Sequence, residues 1–473
     1  MSLLALSGTN SVSGGYDIDN SLKFERANSE QIYTSNAAAG NRKTWTFSAW
    51  IKRTQLSQDY STIFSCGYSN IQIMANDRPR LILYNGSSEV YADPEMLLRD
   101  TAAWYHIVVQ VDSTQSTAAD RVKWWINGNR ITDFNNSTYT NMSQNEDFDF
   151  GQAGSGSDNY LRLGEFFGGS EGFSGYMADV YYLNGTAAQA SDFGEYDDDS
   201  GIWIPKAYTG SGYGTQGFKY EFKDSSALGT DTSGEGHNAN NLSNITSADQ
   251  ATDTPTNNFT TWLSDGTFFN GTNDSVTTKE GGTVIKRNVN TQWITAHATQ
   301  AVNNGKWYYE AKVIAQKNCM IGAAPLDAII GATNNAYYLG QSTDGTIGFQ
   351  FSDGNLFYYT GYTNYVSGGL STNDIVGFAL DMDNNKCYVS VNGTYVNSAD
   401  PANGTNGFSI LDKEYIFATA TYAPNQEYPF NMGGYTTISI SSAASDENGR
   451  GVFEYAPPSG YYALCTKNLA EYG

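Results

Sequence analysis

Apolar and polar residues alternate along most of the chain. In residues 104–112, WYHIVVQVD, every second side chain from Tyr105 to Val111 is apolar or aromatic. Residues 306–313, KWYYEAKV, repeat the same period of two. Because successive side chains of a strand point to opposite faces, this pattern predicts half-buried antiparallel strands.

Two distant stretches share one arrangement. Residues 108–131 and 378–396 each carry an alternating run, a polar turn and a second alternating run that ends in Asn-Gly. Asn and Gly accept the positive φ angles of tight hairpin turns. Many short strands at regular spacing predict sandwiches, so we expect an all-β chain, with short helices at residues 94–100 and 190–196.

Length and composition predict the domain organisation. A chain of 473 residues is too long for one ordinary core. The sequence becomes polar and rich in Ser, Thr, Asn and Gly from about residue 197 to about residue 259. We therefore expect an N-terminal docking arm, a first sandwich, an extended polar linker with one strand, and a second sandwich with a C-terminal strand segment, at residues 1–20, 21–206, 207–265 and 266–473.

Charge and cysteine content restrict the possible partners. The 49 acidic and 26 basic side chains give a net charge of −23, which repels a phosphate backbone, so nucleic acid is not an expected partner. The four cysteines are widely spaced and are expected to be free thiols made in a reducing cytoplasm. We expect no signal peptide, since the start MSLLALSGTN lacks a basic region and a long apolar run, and no membrane insertion.

Ordered motifs resemble known families in each half. The strings TWTFSAWIKR, AWYHIVVQVD and VKWWING are similar to the laminin-G-like, concanavalin A-like jelly roll across about residues 21–206. The strings GKWYYEAKV, GTIGFQF and DIVGFALDMDNNKCYVSVNG resemble a SPRY domain across about residues 280–425. These resemblances imply two concanavalin-like sandwiches, and they explain why one chain carries the same hairpin twice.

A further resemblance covers the whole chain. The strings QASDFGEYDDDSGIWIPKAYTG, TDTPTNNF and PPSGYYALCTKNL resemble structural proteins of tailed phages that infect marine and freshwater bacteria. The resemblance implies a virion surface protein, either a tail fibre or appendage that binds a host glycan or envelope, or a capsid decoration protein with no host-binding role. It also implies docking of the N-terminal arm on other virion proteins. Self-association, as in trimeric fibres, is a hypothesis that the many aromatic residues motivate.

Catalytic motifs have little support. A retaining glycosidase of this architecture needs two carboxylates on one strand, whereas Glu195 to Asp199 form an acidic run after the last predicted strand of the first sandwich. The histidines His106, His237 and His297 are far apart in sequence, and GYGTQG at 212–217 precedes a strand rather than the helix of a dinucleotide site. We expect no enzyme; a glycan depolymerase is the weakest alternative.

Two kinds of binding residue remain. Hard oxygen ligands for calcium cluster at Asp381 and Asp383 and at Asp231 and Glu235, although the same residue types favour tight turns. No other cofactor is expected. Aromatic rings on solvent-facing positions could stack on a host sugar or cover an interface, and the candidates are Trp125, Tyr337, Tyr338, Tyr358 and Tyr359.

Overall fold

The computed structural model describes residues 15–35, 38–154, 156, 159–169, 171–210, 212–263, 276–287, 293–315, 317–331, 338–341 and 343–473. These residues form two compact units, one that ends at Thr256 and one that begins at Asn257. Strands dominate both units, so the predicted all-β class is confirmed.

The N-terminal unit contains strands β1 to β18. Their bounds are β1 Ser21–Phe24, β2 Gln31–Thr34, β3 Thr44–Arg53, β4 Ser61–Cys66, β5 Ser69–Ile73, β6 Pro79–Tyr84, β7 Glu89–Pro94, β8 Trp104–Asp112, β9 Val122–Ile126, β10 Asn129–Ile131, β11 Phe134–Asn136, β12 Leu161–Leu163, β13 Gly175–Asn184, β14 Gly194–Tyr196, β15 Trp203–Pro205, β16 Phe218–Tyr220, β17 Asn241–Ser243 and β18 Gln250–Ala251.

Most of these strands belong to two antiparallel sheets. The first has the order β10-β9-β8-β3-β13-β1-β18, with β16 also paired to β13. The second has the order β11-β7-β6-β5-β4-β12-β2-β17, and β14 pairs separately with β15. The inner faces meet through aromatic rings, for example Phe47 on β3 and Phe64 on β4, whose ring centroids are 4.6 Å apart. Each such buried side chain contributes about 2 kcal/mol through removal of apolar area from water.

The expected linker, residues 207–265, is largely part of the N-terminal unit, which corrects the sequence-based prediction. Strand β16 pairs with β13, β17 with β2 and β18 with β1. The physical reason is that these pairings satisfy backbone groups at available strand edges, and that Phe218, Tyr220 and Phe222 bury their rings in the core.

The described part of the expected arm lies on the same unit. The hydroxyl of Tyr16 donates to Asp179 at 3.1 Å, and the amide of Ile18 donates to Thr256 Oγ1 at 3.1 Å. Residues 1–14 lie outside the described residues. Docking of the arm on other virion proteins therefore stays a prediction.

The C-terminal unit contains strands β19 to β33 and two short helices. Their bounds are β19 Val276–Lys279, β20 Val284–Arg287, β21 Ile294–Val302, β22 Lys306–Lys312, β23 Cys319–Pro325, α1 Leu326–Gly331, β24 Ile347–Gln350, β25 Asn355–Tyr358, β26 Gly361–Asn364, β27 Ile375–Asp381, β28 Lys386–Val391, β29 Thr394–Tyr395, β30 Phe408–Ser409, β31 Tyr415–Thr421, β32 Glu427–Asn431, β33 Tyr462–Ala463 and α2 Thr466–Tyr472.

These strands also form two sheets that enclose a core. One sheet has the order β19-β20-β32-β22-β27-β28-β29, with β30 paired to β28 and β33 paired in parallel to β22. The other has the order β21-β31-β23-β24-β25-β26. Tyr309 on β22 and Phe417 on β31 bring the two inner faces together, with ring centroids 4.2 Å apart.

The repeated hairpin is confirmed in both units. Strand β8 pairs with β9 and β27 with β28, and each second strand turns at its Asn-Gly pair. Asn127 and Gly128 have φ of 47° and 75°, and Asn392 and Gly393 have φ of 48° and 76°. Positive φ at both central residues is the geometry that favours Asn-Gly.

The expected helix at residues 94–100 is wrong, and the one at residues 190–196 is confirmed only for a first turn. The backbone N–H of Leu98 donates to Asp77 and its carbonyl accepts from Arg53, so tertiary partners replace helical ones in residues 94–100. Residues 194–196 form β14, after a single 3-10 turn at Ala190–Asp192. All four cysteines are free and buried. Across the described ranges, none of the helices has the length and apolar character needed to cross a bilayer.

Candidate binding surface

Strands β25 and β26 form a hairpin at one edge of the six-stranded sheet of the C-terminal unit, and this hairpin presents exposed aromatic rings. Tyr358 pairs with Gly361, so the turn has two residues, Tyr359 and Thr360. The side chains of Tyr359 and Tyr362 are 38% and 64% exposed. Large aromatic side chains at such exposure are available to a ligand or partner. We call residues 355–364 the aromatic hairpin.

The aromatic hairpin continues into a row of half-buried rings. Phe357 and Tyr362 are cross-strand partners with ring centroids 5.2 Å apart. Tyr338 meets Phe357 edge-on at 5.4 Å. Trp293 lies 6.1 Å from Tyr338 and 5.6 Å from Tyr422. These distances lie in the range of favourable aromatic contacts, so the five rings form one connected surface, here called the aromatic strip.

The turn of the aromatic hairpin has strained backbone. Tyr359 has φ of 47° and Thr360 has φ of 69°. Positive φ at both positions suits Asn and Gly, whereas Tyr and the β-branched Thr adopt it at a cost of about 1 to 3 kcal/mol each. The amide of Thr360 donates to the carbonyl of Gly340 at 3.2 Å, which holds the turn in place. Such strain is concentrated at functional sites in proteins.

The polar groups of the aromatic hairpin are uncharged. Residues 355–364, NLFYYTGYTN, contain no acidic or basic side chain in a protein of net charge −23. The Nδ2 of Asn364 donates to Oδ1 of Asn355 at 2.8 Å and to the carbonyl of Asp353 at 2.6 Å. This surface therefore offers amides, hydroxyls and ring faces and carries no fixed charge.

Three of the predicted aromatic residues lie on this surface. Tyr359 is exposed, and Tyr358 and Tyr338 are half-buried. Tyr337 lies outside the described residues. Sequence reasoning missed Phe357, Tyr362, Trp293 and Tyr422 as ring positions. The sequence does contain a signal for one pair. In a hairpin with a two-residue turn, the residues five positions apart that flank the first pair are cross-strand partners, and Phe357 and Tyr362 have this spacing.

Trp125 does not offer the exposed ring that the sequence predicts. Its side chain lies on the face opposite Trp124, as alternation requires, but it is only 7% exposed. Arg130 on the next strand places its guanidinium 5.1 Å from the Trp125 ring centroid. The β9–β10 hairpin folds this cation over the ring, which is a favourable cation–π arrangement, so the ring is covered.

The candidate calcium ligands are used in protein hydrogen bonds. Asp381 is fully buried, with Oδ2 3.3 Å from Lys306 Nζ and 2.9 Å from Asn384 Nδ2. Asp383 accepts from the amide of Gly305 at 2.8 Å. No group of three His, Cys, Asp or Glu side chains within the described part of the chain is positioned to hold a metal ion. Asp381 and Asp383 have the contacts of turn-forming residues.

The second acidic pair makes similar contacts. Asp231 accepts from the amides of Lys219 at 2.9 Å and His237 at 2.8 Å. Glu235 accepts from the amide of Tyr213 at 3.3 Å. These two side chains therefore hold the polar segment that packs on the N-terminal unit.

The acidic run after the first sandwich is a hairpin turn. Glu195 lies on β14 and pairs with Lys206 at 3.3 Å, and both side chains are more than 40% exposed. Asp197 accepts from the amide and the hydroxyl of Ser200, both at 2.7 Å, and these hydrogen bonds lower the pKa of Asp197. A general acid needs the opposite shift, a raised pKa, so the geometry of Asp197 suits a turn.

Comparison with known proteins finds one family and several structures. Residues 26–191, about a third of the chain, match the family Laminin_G_3, described as the concanavalin A-like lectin/glucanases superfamily. The predicted concanavalin-like character of the N-terminal half is thereby confirmed. No curated protein sequence matches the chain.

The similar solved structures include three SPRY domains. The SPRY domain of human HERC1 is 12% identical, with a TM-score of 0.24, over 32% of this chain and 89% of that chain. A human SPRY domain is 12% identical, with a TM-score of 0.24, over 32% and 91%. The TRIM65 PSpry domain is 9% identical, with a TM-score of 0.28, over 36% and 88%. This likeness concerns fold alone.

Proposed function

We propose that this chain is a surface protein of a tailed-phage particle that binds a host glycan without catalysis, through the aromatic hairpin and the aromatic strip. The observation that carries the proposal is the exposed, uncharged hairpin with Tyr359 and Tyr362 at its surface. The phage assignment rests on the sequence resemblance of the whole chain. The family match, described as lectins and glucanases, covers residues 26–191 of the N-terminal unit, so it supports carbohydrate recognition by the chain as a class and says nothing about the aromatic hairpin.

The chemistry of the surface fits a sugar ring. The apolar C–H face of a pyranose can pack on a flat aromatic ring, which removes apolar area of both from water. The side chains of Asn355 and Asn364 and the hydroxyl groups of the tyrosines supply hydrogen-bond partners for sugar hydroxyls. Each site is weak, and many copies on one particle convert weak contacts into stable attachment.

Non-catalytic binding is favoured over hydrolysis by the state of the carboxylates. Hydrolysis of a glycoside requires an acid and a second carboxylate on opposite sides of the scissile bond. Glu195 is paired with a lysine and Asp197 forms a turn, while Asp344, near the aromatic hairpin in sequence, accepts from the amide and hydroxyl of Thr346 at 3.0 Å and 2.9 Å. These carboxylates have structural partners.

The test is binding of the purified chain to host cells and to polysaccharide prepared from them. Tyr362→Ala should weaken binding about tenfold, equivalent to about 1.4 kcal/mol, without loss of folding. Tyr362→Phe should retain most of the affinity if the ring face carries the contact. Tyr60→Ala, at a tyrosine 40% exposed in the N-terminal unit, is the matched control. Unchanged binding by Tyr362→Ala would reject the aromatic hairpin as the site.

The other functions are outcomes of related measurements. Electron microscopy of the particle distinguishes a tail appendage from a capsid decoration protein. Release of reducing ends from the polysaccharide would favour a depolymerase over a binding protein. Light scattering of the wild type and of Tyr362→Ala tests whether a second copy of the chain covers the aromatic strip instead. A mass that falls to that of a monomer in the variant would assign the strip to self-association.

A further inference from the structure

A lysine lies buried between two carboxylates in the N-terminal unit. Lys23 is on β1, Glu30 directly precedes β2, and Asp249 directly precedes β18, which pairs with β1. The side chains of Lys23, Glu30 and Asp249 are 1%, 3% and 9% exposed. The chain therefore places three reactive groups together in a site that water scarcely reaches.

The distances are short on both sides of the lysine. Lys23 Nζ lies 2.8 Å from Oε1 and 3.0 Å from Oε2 of Glu30. The same Nζ lies 2.8 Å from Oδ1 of Asp249. Backbone and side-chain donors hold both acids: Glu30 accepts from the amide of Glu25 at 2.7 Å and from Asn28 Nδ2 at 3.0 Å.

The second oxygen of Asp249 has its own donors. Oδ2 accepts from the amide of Thr246 at 2.8 Å and from its hydroxyl at 3.1 Å. Oδ1 therefore faces the lysine while Oδ2 faces fixed donors. This is the arrangement in which a tetrahedral intermediate at the Asp249 carboxyl carbon would be stabilised, because charge that develops on Oδ2 meets preorganised N–H and O–H groups.

We propose that Lys23 and Asp249 join in an intramolecular isopeptide bond, with Glu30 as the group that transfers the protons. Glu30 removes a proton from the ammonium of Lys23 and passes it to the Asp249 carboxylate. The neutral Nζ then attacks Cγ of Asp249 and forms the C–N bond. Glu30 takes a second proton from Nζ and delivers it to Oδ1, the C–Oδ1 bond breaks, and water leaves.

The reaction balances without a further reagent. One ammonium and one carboxylate become one secondary amide and one water molecule, and Glu30 returns to its starting state. Oδ2 becomes the amide oxygen and retains its donors from Thr246. Nothing is oxidised or reduced.

Burial favours the product. One cation and two anions in a dry site carry a large desolvation penalty, and the amide replaces one buried ion pair with a neutral group. Loss of the Lys23 cation removes an interaction that lowers the pKa of Glu30, so Glu30 takes up a proton from water and the product site holds no unpaired charge. Burial also raises the pKa of Glu30 to about 7, with the neighbouring Asp249 acting in the same direction, and this value suits a group that accepts and releases a proton near neutral pH. The protein also holds Nζ next to the carboxyl group, and this fixed proximity lowers the activation barrier of the reaction.

A second buried pair in the same unit provides an internal comparison. Lys52 lies 2.7 Å from Oδ2 of Asp253, and both side chains are at most 1% exposed. Oδ1 of Asp253 accepts from the indole N–H of Trp104 at 3.0 Å, a group that cannot shuttle protons as a carboxylate does. We expect this pair to remain ionic.

The test is the intact mass of the purified full-length chain. The wild type should be lighter than its sequence by the mass of one water molecule, and proteolysis should yield one branched peptide that contains Lys23 and Asp249. Lys23→Arg and Asp249→Ala should have full mass after correction for the substitution. Glu30→Gln should also have full mass or lose water slowly.

The controls separate this bond from other dehydration. A succinimide at an aspartate loses the same mass, but it leaves Lys23 in a linear peptide and is unaffected by Lys23→Arg. Lys52 and Asp253 should be recovered in linear peptides. A wild-type chain of full mass, with Lys23 and Asp249 both in linear peptides, would overturn the proposal, and this outcome does not depend on the folding of any variant.

Discussion

The indole Nε1 of Trp203 donates a hydrogen bond of 3.1 Å to Nδ1 of His106. An indole N–H can only donate, so Nδ1 carries no proton and His106 is the neutral tautomer with its proton on Nε2. That Nε2 lies 2.9 Å from Ser48 Oγ, which accepts the remaining bond. Trp203 belongs to β15, so this contact binds the segment after the first sandwich to the middle of the first sheet.

The buried histidines predict a loss of stability in mild acid. Burial lowers the pKa of His106 to about 3, and it lowers that of His297 in the C-terminal unit to about 3. Each histidine takes up its proton near pH 6.5 in the unfolded chain and only near pH 3 in the folded chain, so the unfolded state binds more protons between these values. Each should therefore reduce the free energy of unfolding by about 2 kcal/mol between pH 6.5 and pH 5.

Denaturant unfolding at the two pH values checks this expectation. In His106→Gln, the free energy of unfolding should depend less on pH, by the contribution expected of one histidine. The carboxylates titrate in both proteins, so their contribution cancels in the comparison. Nitrogen NMR shifts should report the Nε2-protonated form of His106 from pH 5 to pH 8. An equal pH dependence in wild type and His106→Gln would contradict the assignment.

Trp125 should be a stability residue rather than a ligand contact. Because its ring is buried beneath the Arg130 guanidinium, Trp125→Ala should lower the free energy of unfolding by about 3 kcal/mol. Trp125→Phe should lose less, since a ring remains under the cation. Binding to host cells, measured per folded molecule, should be unchanged in both variants. If either variant kept the stability of the wild type but bound cells more weakly, Trp125 would be a ligand contact.

Glu310 should fasten the C-terminal segment to β22. It is fully buried, and it accepts from the amides of Glu454 and Tyr455, both at 2.9 Å, and from Asn431 Nδ2 at 3.1 Å. Glu310→Gln should cost about 2 kcal/mol, because the new amide N–H groups would face N–H donors. Hydrogen exchange should show faster loss of protection at Glu454 and Tyr455 than at core strands. Unchanged protection there would refute this role.

Local sequence patterns predict most of the strands, but they do not predict which distant strands pair with one another. Alternation and the Asn-Gly turns are short-range signals, so they place β8, β9, β27 and β28 correctly. The pairing of β18 with β1 joins residues more than two hundred positions apart, and no local pattern in a Ser- and Thr-rich segment encodes it. Residues 207–265 therefore have the composition of a linker, although most of them pack on the N-terminal unit.

Burial of single side chains is equally non-local. Alternation places the Trp125 ring on the outer face, yet its coverage depends on Arg130 in the neighbouring strand. The triad of Lys23, Glu30 and Asp249 has no sequence signature, because its members meet only when the last strand of the unit pairs with the first. Such a site is created by tertiary pairing, which short-range sequence patterns do not encode.

The strained turn of the aromatic hairpin should lower the free energy of unfolding, because Tyr359 and Thr360 occupy positions that favour Asn and Gly. Tyr359→Asn combined with Thr360→Gly supplies the residues that favour positive φ at both positions, so the free energy of unfolding should rise by about 1 to 2 kcal/mol. Thr363→Gly is the matched control: it lies on the neighbouring extended strand β26, where glycine should destabilise by about 1 kcal/mol. Thermal unfolding of the three proteins measures these differences.

Thr360→Gly alone should stabilise the turn and keep binding, because Tyr359 remains, whereas the double variant should lose the Tyr359 contact. If the double variant is no more stable than the wild type, the turn is not strained in the protein.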